Sequence, residues 1–421
     1  MGHDNSSFLI ITGSSPESHS PSGERLRHLA IASSSRFDQV AVLALRKTPR
    51  DNKREREESR VSVFTINFTR GVPYPLSVLL DPVKVLMFLM HGLVLCRRIR
   101  PSHILASMPP LETGVSAWIL TKLAGIPLFV DLRDDWEAAA SFQLKRYFPE
   151  VSAKILLAIA KEIYSSASAI LAVTETIAET TRRRNVGTSV LLVPNGADSE
   201  LFAQADAKTR RRIRQECGLP LDKIVVAYCG SGVNPYYRLD MTLSSVKALP
   251  KEVAERVFFV FYVYNGIENL KRLQSQLGIP ENRLEIRRPL PRSQLAEVLA
   301  ACDVGLVPFD AKPYLLCARS TKIYEYLSSG LYVICSGPKG GELDVLLSAN
   351  DALGMFVSPS VENFVKAFRL VSENTEDFLS EDLKSLRHSF IRENYDRQNM
   401  MRKAVDMLFS RVSSSLTTQK K

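Results

Sequence analysis

A chain of 421 residues, 45% apolar and 24% charged, is too long for one ordinary domain, suits two of about 200 residues each, and has the composition of a soluble globular protein. Its net charge of +10 suits a polyanionic partner such as a diphosphate-bearing substrate or an anionic membrane, while no aromatic-rich basic motif marks a nucleic-acid binder. No segment reaches the ~18–20 apolar residues of a membrane span.

The predicted elements alternate from the start. Strand Phe8–Gly13 leads to helix Glu24–Ser34, strands Val40–Leu45 and Val61–Ile66, and helix Asp81–Arg98. Strand Ile104–Ser107, helix Thr113–Ala124, strand Leu128–Asp131, helix Val151–Ser165, strand Ala169–Val173, helix Thr176–Arg183 and strand Val190–Val193 follow. Residues 194–220, from the turn Pro194-Asn195-Gly196 through the charged run AKTRRRIRQE, break this rhythm and read as a boundary. The alternation restarts with strand Ile224–Cys229, helix Leu239–Leu249, strand Val257–Val263, helix Ile267–Leu277 and strand Leu284–Ile286. It goes on through helix Arg292–Ala301, strand Val304–Val307, helix Thr321–Ser329, strand Tyr332–Cys335, helix Gly341–Ala349 and strand Met355–Val357. Three helical stretches close the chain from Val361 to about Val412, and the tail SSSLTTQKK reads as disordered. Continuous apolar strands between amphipathic helices mean parallel sheets covered on both faces. The fold class is therefore α/β: two tandem Rossmann-like, doubly wound domains facing a central cleft, with ligands expected beyond the carboxyl ends of the strands.

The N-terminus has Asp4 ahead of its short apolar run and no basic n-region, so it does not read as a secretory signal and cytoplasmic residence is expected. Cys96, Cys217, Cys229, Cys302, Cys317 and Cys335 form no C-x-x-C or zinc spacing, which fits buried free thiols. The histidines show no ligand spacing, and no metal site is read. The basic stretch Arg46–Arg60 is either a solvated loop or, with the apolar helix Asp81–Cys96 and Arg97, Arg98 and Arg100, a contact for an anionic membrane.

Three places carry candidate chemistry. Gly230-Ser231-Gly232 follows a strand and precedes a helix, which lets backbone N–H groups approach a phosphate; Arg238 at the helix start would add a full charge. The other reading is a pair of tight-turn glycines. Lys322 and Glu325, three apart on a helix opening toward the ligand end of the sheet, suit a phosphate and two vicinal sugar hydroxyls; an ordinary surface ion pair is the alternative. In the first half, Asp131, Arg133 and Asp134 crowd a strand's carboxyl end, where charges are costly unless functional or well paired. Gly23, Glu24 and Arg25, between the first strand and first helix, are placed to close over the cleft.

Taken in order, the Gly23 opening, VDLRDDW, LLVPNGADSELF (191–202), VAYCGSG (226–232), LAACDVGLVPF (299–309) and STKIYEYLSSGLYVI (320–334) resemble a GT-B fold glycosyltransferase of the group 4 family over nearly the whole length. The resemblance implies an acceptor-binding domain at 1–200, a nucleotide-sugar-binding domain at 201–395, and C-terminal residues 396–421 that return to the N-terminal domain. It implies a UDP- or GDP-sugar as co-substrate, no separate cofactor, no metal, and transfer with retention of configuration to a lipid-linked or polysaccharide acceptor in cell-surface glycan synthesis. Glu325 would hold the donor ribose, Lys322 or Arg238 the diphosphate, the Gly230–Gly232 turn would face that diphosphate through backbone, and Arg288 to Pro291 would touch the base. Asp131, Arg133 and Asp134 would lie near the transferred sugar and acceptor. Three departures stand out: Cys317 where the family often has a second glutamate, Ser231 with Tyr237-Arg238 in place of the usual basic residues, and Ser320 in place of a proline. The Cys317 and Ser231 departures support a different reading, a non-catalytic scaffold subunit; a sugar-nucleotide epimerase or phosphorylase on the same fold is a third.

Overall fold

The computed structural model describes residues 6–16, 18, 20–46, 60–67, 81–137, 151–184 and 187–418. The chain divides into two compact units, Met1–Pro194 with Gln398–Lys421, and Asn195–Arg397. Each is the doubly wound parallel α/β sheet that the strand–helix alternation predicts.

The first unit contains β1 (Ser7–Thr12), α1 (Pro21–Ser34), β2 (Gln39–Arg46), β3 (Val61–Asn67), α2 (Asp81–Ile99), β4 (Pro101–Met108), α3 (Leu111–Ala124), β5 (Leu128–Leu132), α4 (Val151–Ser166), β6 (Ala167–Ala172), α5 (Glu175–Arg184) and β7 (Ser189–Leu192). Its seven strands lie in the order β3-β2-β1-β4-β5-β6-β7, all parallel. The order reverses beside β1, so the carboxyl ends of β1, β4 and β5 share one ligand-facing edge. Pro21 and the Ser20 hydroxyl, which accepts from Gly23 N at 3.1 Å, start α1 at that edge.

The second unit contains α6 (Ala207–Glu216), β8 (Ile224–Gly230), α7 (Leu239–Ala248), α8 (Lys251–Arg256), β9 (Val257–Val263), α9 (Ile267–Gln276), β10 (Leu284–Arg287), α10 (Arg292–Ala300), β11 (Val304–Pro308), α11 (Thr321–Ser328), β12 (Tyr332–Ser336), α12 (Glu342–Ser348) and β13 (Gly354–Val357). Helices α13 (Val361–Glu373), α14 (Thr375–Leu379) and α15 (Glu381–Asn394) complete it. The six strands run β10-β9-β8-β11-β12-β13, again all parallel. Along β8, Val225, Ala227 and Cys229 enter one core cluster while Val226 and Tyr228 enter another. That period of two, apolar on both sides, is what a sheet covered on both faces requires.

The last helix, α16 (Arg397–Thr418), belongs mostly to the first unit. Met401, Ala404, Val405, Leu408 and Phe409 join Phe8, Val40, Leu105, Phe129 and Leu171 in one core.

Three expectations need correction. The charged run in the stretch read as a boundary, to which no element was assigned, is a helix, α6, capped by Asp206, whose carboxylate accepts from Thr209 N at 2.7 Å. It docks because Arg210 and Arg214 both reach Asp303, each at 2.5 Å. The short helix α8 stands where no element was expected. The tail is not wholly irregular, since α16 continues to Thr418 with no glycine or proline to end it. The basic stretch Arg46–Arg60 lies, between its two ends, outside the described residues.

Candidate active site

The residues singled out in the sequence fall into two groups, one in each unit. In the second unit, β8 ends at Gly230, and an added Cβ there would meet Lys322 Cε at 2.5 Å and Nζ at 2.8 Å. The absent side chain is thus what lets the first turn of α11 lay its lysine across the strand end. Lys322 Nζ donates to Tyr237 Oη at 2.6 Å and sits 4.1 Å and 5.4 Å from the ring centroids of Tyr237 and Tyr228. Among the described residues no carboxylate lies within ion-pair distance of this ammonium. Aromatic faces and a phenol oxygen stabilise a cation without neutralising it. Tyr237 is itself fixed by a bridge to Phe309, ring contacts to Phe309 and Tyr228, and Ser320 Oγ 3.4 Å from its hydroxyl. Burial pushes the Tyr228 phenol well above its usual range, so it stays a donor, to Ser231 O at 2.8 Å.

Asn265 organises the rest of the glycine turn. Its Oδ1 accepts from Gly232 N at 2.8 Å and Val233 N at 3.2 Å, and lies 2.8 Å from Ser231 Oγ. A Cβ at Gly232 would strike the Asn265 carbonyl. The turn is therefore held from behind by a side chain that sequence reading missed, and two of its N–H groups already have a partner. Arg238 is the N-cap residue of α7; its guanidinium grips Asp240 at 3.0 Å with Asp310 3.7 Å away, and the bond to Asp240 raises its pKa. Of the two cations chosen as diphosphate ligands, Lys322 keeps its charge uncompensated and Arg238 does not.

Glu325 lies one turn along α11 from Lys322. Its Oε1 is 3.0 Å from Arg292 Nη1 and 4.0 Å from Arg397 Nη2. Arg292 in turn stands over the Phe202 ring at 4.8 Å, and Arg397 donates to Gly196 O at 2.5 Å. The element NGADSELF thus acquires a physical role. Gly196 lets the Tyr395 carbonyl occupy the place of a Cβ, Ala197 bridges Asp396, and Phe202 supports the arginine that orients Glu325. Arg288 and Pro291 are exposed between β10 and α10, with Pro291 as the N-cap of the helix that carries Arg292. Cys317, where a second glutamate was looked for, is buried with Sγ against Tyr314 O at 3.4 Å. Nearby, Arg319 pairs with Glu342 at 2.5 Å, tying the start of α11 to α12.

In the first unit, Arg25 and Asp131 form a buried pair. Arg25 Nη2 and Nε donate to Asp131 Oδ1 at 2.8 and 3.0 Å, Ser107 Oγ donates to Oδ2 at 3.0 Å, and Arg25 Nη1 reaches Pro194 O at 3.2 Å. Both side chains are at most 2% exposed, so this pair joins α1, β4, β5 and the end of the first chain pass rather than facing solvent. Glu24 is buried beside Arg27 at 3.6 Å. Gly23 has the Ser18 and Ser15 carbonyls 2.5 and 2.6 Å from an added Cβ, so the β1–α1 loop folds directly onto the helix start. Arg133 donates through its backbone to Met108 O at 2.8 Å and through Nη2 to Pro109 O, and burial lowers its pKa. Asp134 is exposed.

Residues 22–196 match the family model of the glycosyl transferase 4-like domain. Two curated relatives are D-inositol 3-phosphate glycosyltransferases. That of Corynebacterium glutamicum (strain R) is 28% identical over 125 residues, 28% of this chain and 29% of the relative. That of Xylanimonas cellulosilytica is 27% identical over 169 residues, 38% of each chain. The match thus spans well under half the length of either relative. Among solved structures, sucrose-phosphate synthase from Thermosynechococcus elongatus superposes with a TM-score of 0.75 at 14% identity, over 97% of this chain and 100% of that one. Anabaena HepE, solved in complex with UDP and glucose, gives 0.69 at 17% identity, over 96% and 100%. At such identities the likeness establishes the two-domain fold.

Proposed function

We propose that this chain, whose residues 22–196 match the glycosyl transferase 4-like domain, is a GT-B glycosyltransferase that moves a sugar from a UDP- or GDP-sugar to a lipid-linked or polysaccharide acceptor. The sugar is transferred with retention of configuration and without a metal, in cell-surface glycan synthesis at the cytoplasmic face of an anionic membrane. The observation that carries the reading is Lys322: an ammonium held at the carboxyl end of β8, against Gly230, with no carboxylate beside it among the described residues. Such a charge has a clear use for an anion arriving from solution. The complex of Anabaena HepE with UDP-glucose, on the same fold, supports a nucleotide sugar as that anion.

In this reading the second unit binds the donor and the first binds the acceptor. Lys322 receives the diphosphate, and Glu325, oriented by Arg292, accepts from the ribose hydroxyls. The turn Gly230–Gly232 lies alongside the diphosphate, Arg238 adds its partly compensated charge, and Arg288 with Pro291 borders the base. The C1–O bond to the diphosphate breaks with its electron pair leaving on the phosphate, whose developing charge Lys322 stabilises. The acceptor oxygen bonds to C1 on the same face, and its proton passes to a donor phosphate oxygen. Asp131 is a positioning group, holding Arg25 and with it the first turn of α1 that carries Gly23 and Glu24, while Arg133 and Asp134 contact the acceptor.

A thermal-shift screen against UDP, GDP, ADP, dTDP, CDP and their sugars tests this, because ligand bound only to the folded state raises the midpoint by mass action. A selective shift with a uridine or guanosine diphosphate, abolished in Lys322→Met and Glu325→Ala, is expected. No shift with any of them, from a folded sample, would overturn the reading. It would favour a scaffold subunit, for which Asn265 already accepting from Gly232 N and the adjoining Val233 N is the supporting observation.

A further inference from the structure

Helix α2 is apolar on two opposite sides. Phe88, Gly92, Leu95 and Ile99 face inward and are buried. On the other side Val83, Leu86, Met90 and Val94 are 46%, 57%, 60% and 63% exposed. At 100° per residue these four fall within an arc of about 80°, nearly opposite the buried row. Helix α3 packs beside α2. Ser116 Oγ bonds to Val85 O, and a Cβ on Gly92 would strike the Leu120 side chain, so the two helices run in the same direction. Leu123 of α3, 67% exposed, therefore lies level with the end of α2. An apolar strip of this kind is uncommon on the surface of a soluble protein and marks a contact.

Charge selects the occupant. The end of the strip carries Arg97 and Arg98 in the last turn of α2, Arg100 just beyond, and Lys122 beside Leu123. From Pro82 to Leu111 the chain has no acidic residue. The acids at the other end, Asp81 and Glu112, are paired with Lys84. An apolar row with a basic terminus matches the boundary between the acyl chains and headgroups of an anionic bilayer, lying flat rather than crossing it. No helix among the described residues is long and apolar enough to cross.

We propose that the strip Val83–Leu86–Met90–Val94, with Leu123 and the arginines at its end, is the surface by which this protein docks on an anionic membrane. This rests on the membrane contact in the function proposed above and identifies where that contact is made. The apolar row would sink to the acyl boundary while Arg97, Arg98 and Arg100 stay at the headgroups.

Flotation of the full chain with phosphatidylcholine vesicles, with and without phosphatidylglycerol, at low and high salt, tests it. Wild type should float only with the anionic vesicles and less at high salt. Leu86→Gln/Met90→Gln/Val94→Gln should weaken flotation about tenfold or more, with an unchanged unfolding midpoint because the three side chains already face solvent. Arg97→Glu/Arg98→Glu should weaken it at least as much, and serves alone if the triple variant proves unstable. Wild type that ignores anionic vesicles overturns the proposal and removes the membrane contact, leaving the donor reading to stand or fall on the thermal-shift screen. Wild type that floats together with both variants overturns it by moving the contact elsewhere on the molecule. A wild type that is dimeric and indifferent to vesicles, with a monomeric triple variant, assigns the strip to a second copy of the chain and overturns the proposal.

Discussion

A lysine that is to meet phosphate must not already be paired with a carboxylate, and Lys322 is held instead by two tyrosines. Tyr237→Phe keeps the ring beneath the ammonium and removes only the 2.6 Å hydrogen bond. Nucleoside diphosphate affinity measured by titration should fall by about fivefold, the equivalent of roughly 1 kcal/mol. Lys322→Met removes the charge and should cost at least about tenfold more. Asp131→Asn has a different consequence, since it leaves Arg25 buried without its anion. A loss of about 3–5 kcal/mol in urea unfolding is expected, measured with donor binding by the second unit as the control that should persist. Lys322 and Glu325 were legible in the sequence because both lie on one helix, three apart. Tyr237 was not, since its contact with Lys322 spans 85 residues. Arg238 was legible as a cation, but that it folds back onto Asp240, with Asp310 as a second, weaker partner, depends on how the start of α7 lies beside the end of β11.

At the scale of elements, α6 shows why charge can hide a helix. Its ten residues include five Lys or Arg and only Ile213 as a large apolar residue, so no hydrophobic period announces it. What stabilises it is polar. Asp206 caps its start, and Arg210 and Arg214 converge on Asp303, which also accepts from Val225 N at 2.8 Å. Asp303→Ala leaves the buried Arg214 without its carboxylate and a strand N–H without its acceptor, while Arg210 keeps Glu381, and should cost about 3–5 kcal/mol by chemical denaturation. Asp206→Ala, which removes only the cap, should lower the denaturation midpoint by clearly less than Asp303→Ala does. The strands were the easier reading: β9, VFFVFYV, is β-branched or aromatic throughout and buried at every position. Their order was not in the sequence, because pairing β8 with both β9 and β11 is a long-range choice of the sheet.

For the whole molecule, pH should act on the first unit's core. His103 on β4 stacks on Phe129 at 5.3 Å and meets the edge of Phe409 at 5.0 Å. Burial, with a smaller effect of Arg36, pushes its pKa down from 6.5 to about 4. The unfolded chain therefore binds a proton between about pH 6.5 and 4 that the folded one does not. This contribution is complete above about pH 6.5 and is lost as pH falls through about 4, amounting to at most about 3 kcal/mol. In His103→Phe the unfolding midpoint should vary less over that window than in wild type.

The same core has a consequence for how the protein is made. Phe409 and its neighbours on α16 complete a sheet whose strands were all synthesised by residue 192, so the second unit is an insertion in the first. On the ribosome, the first sheet must wait, with Phe8, Phe37 and His103 lacking their last partner, while about two hundred residues of another domain emerge. The unit that is translated second is contiguous and can finish folding first. The unit that is translated first cannot close its core until α16 has left the tunnel.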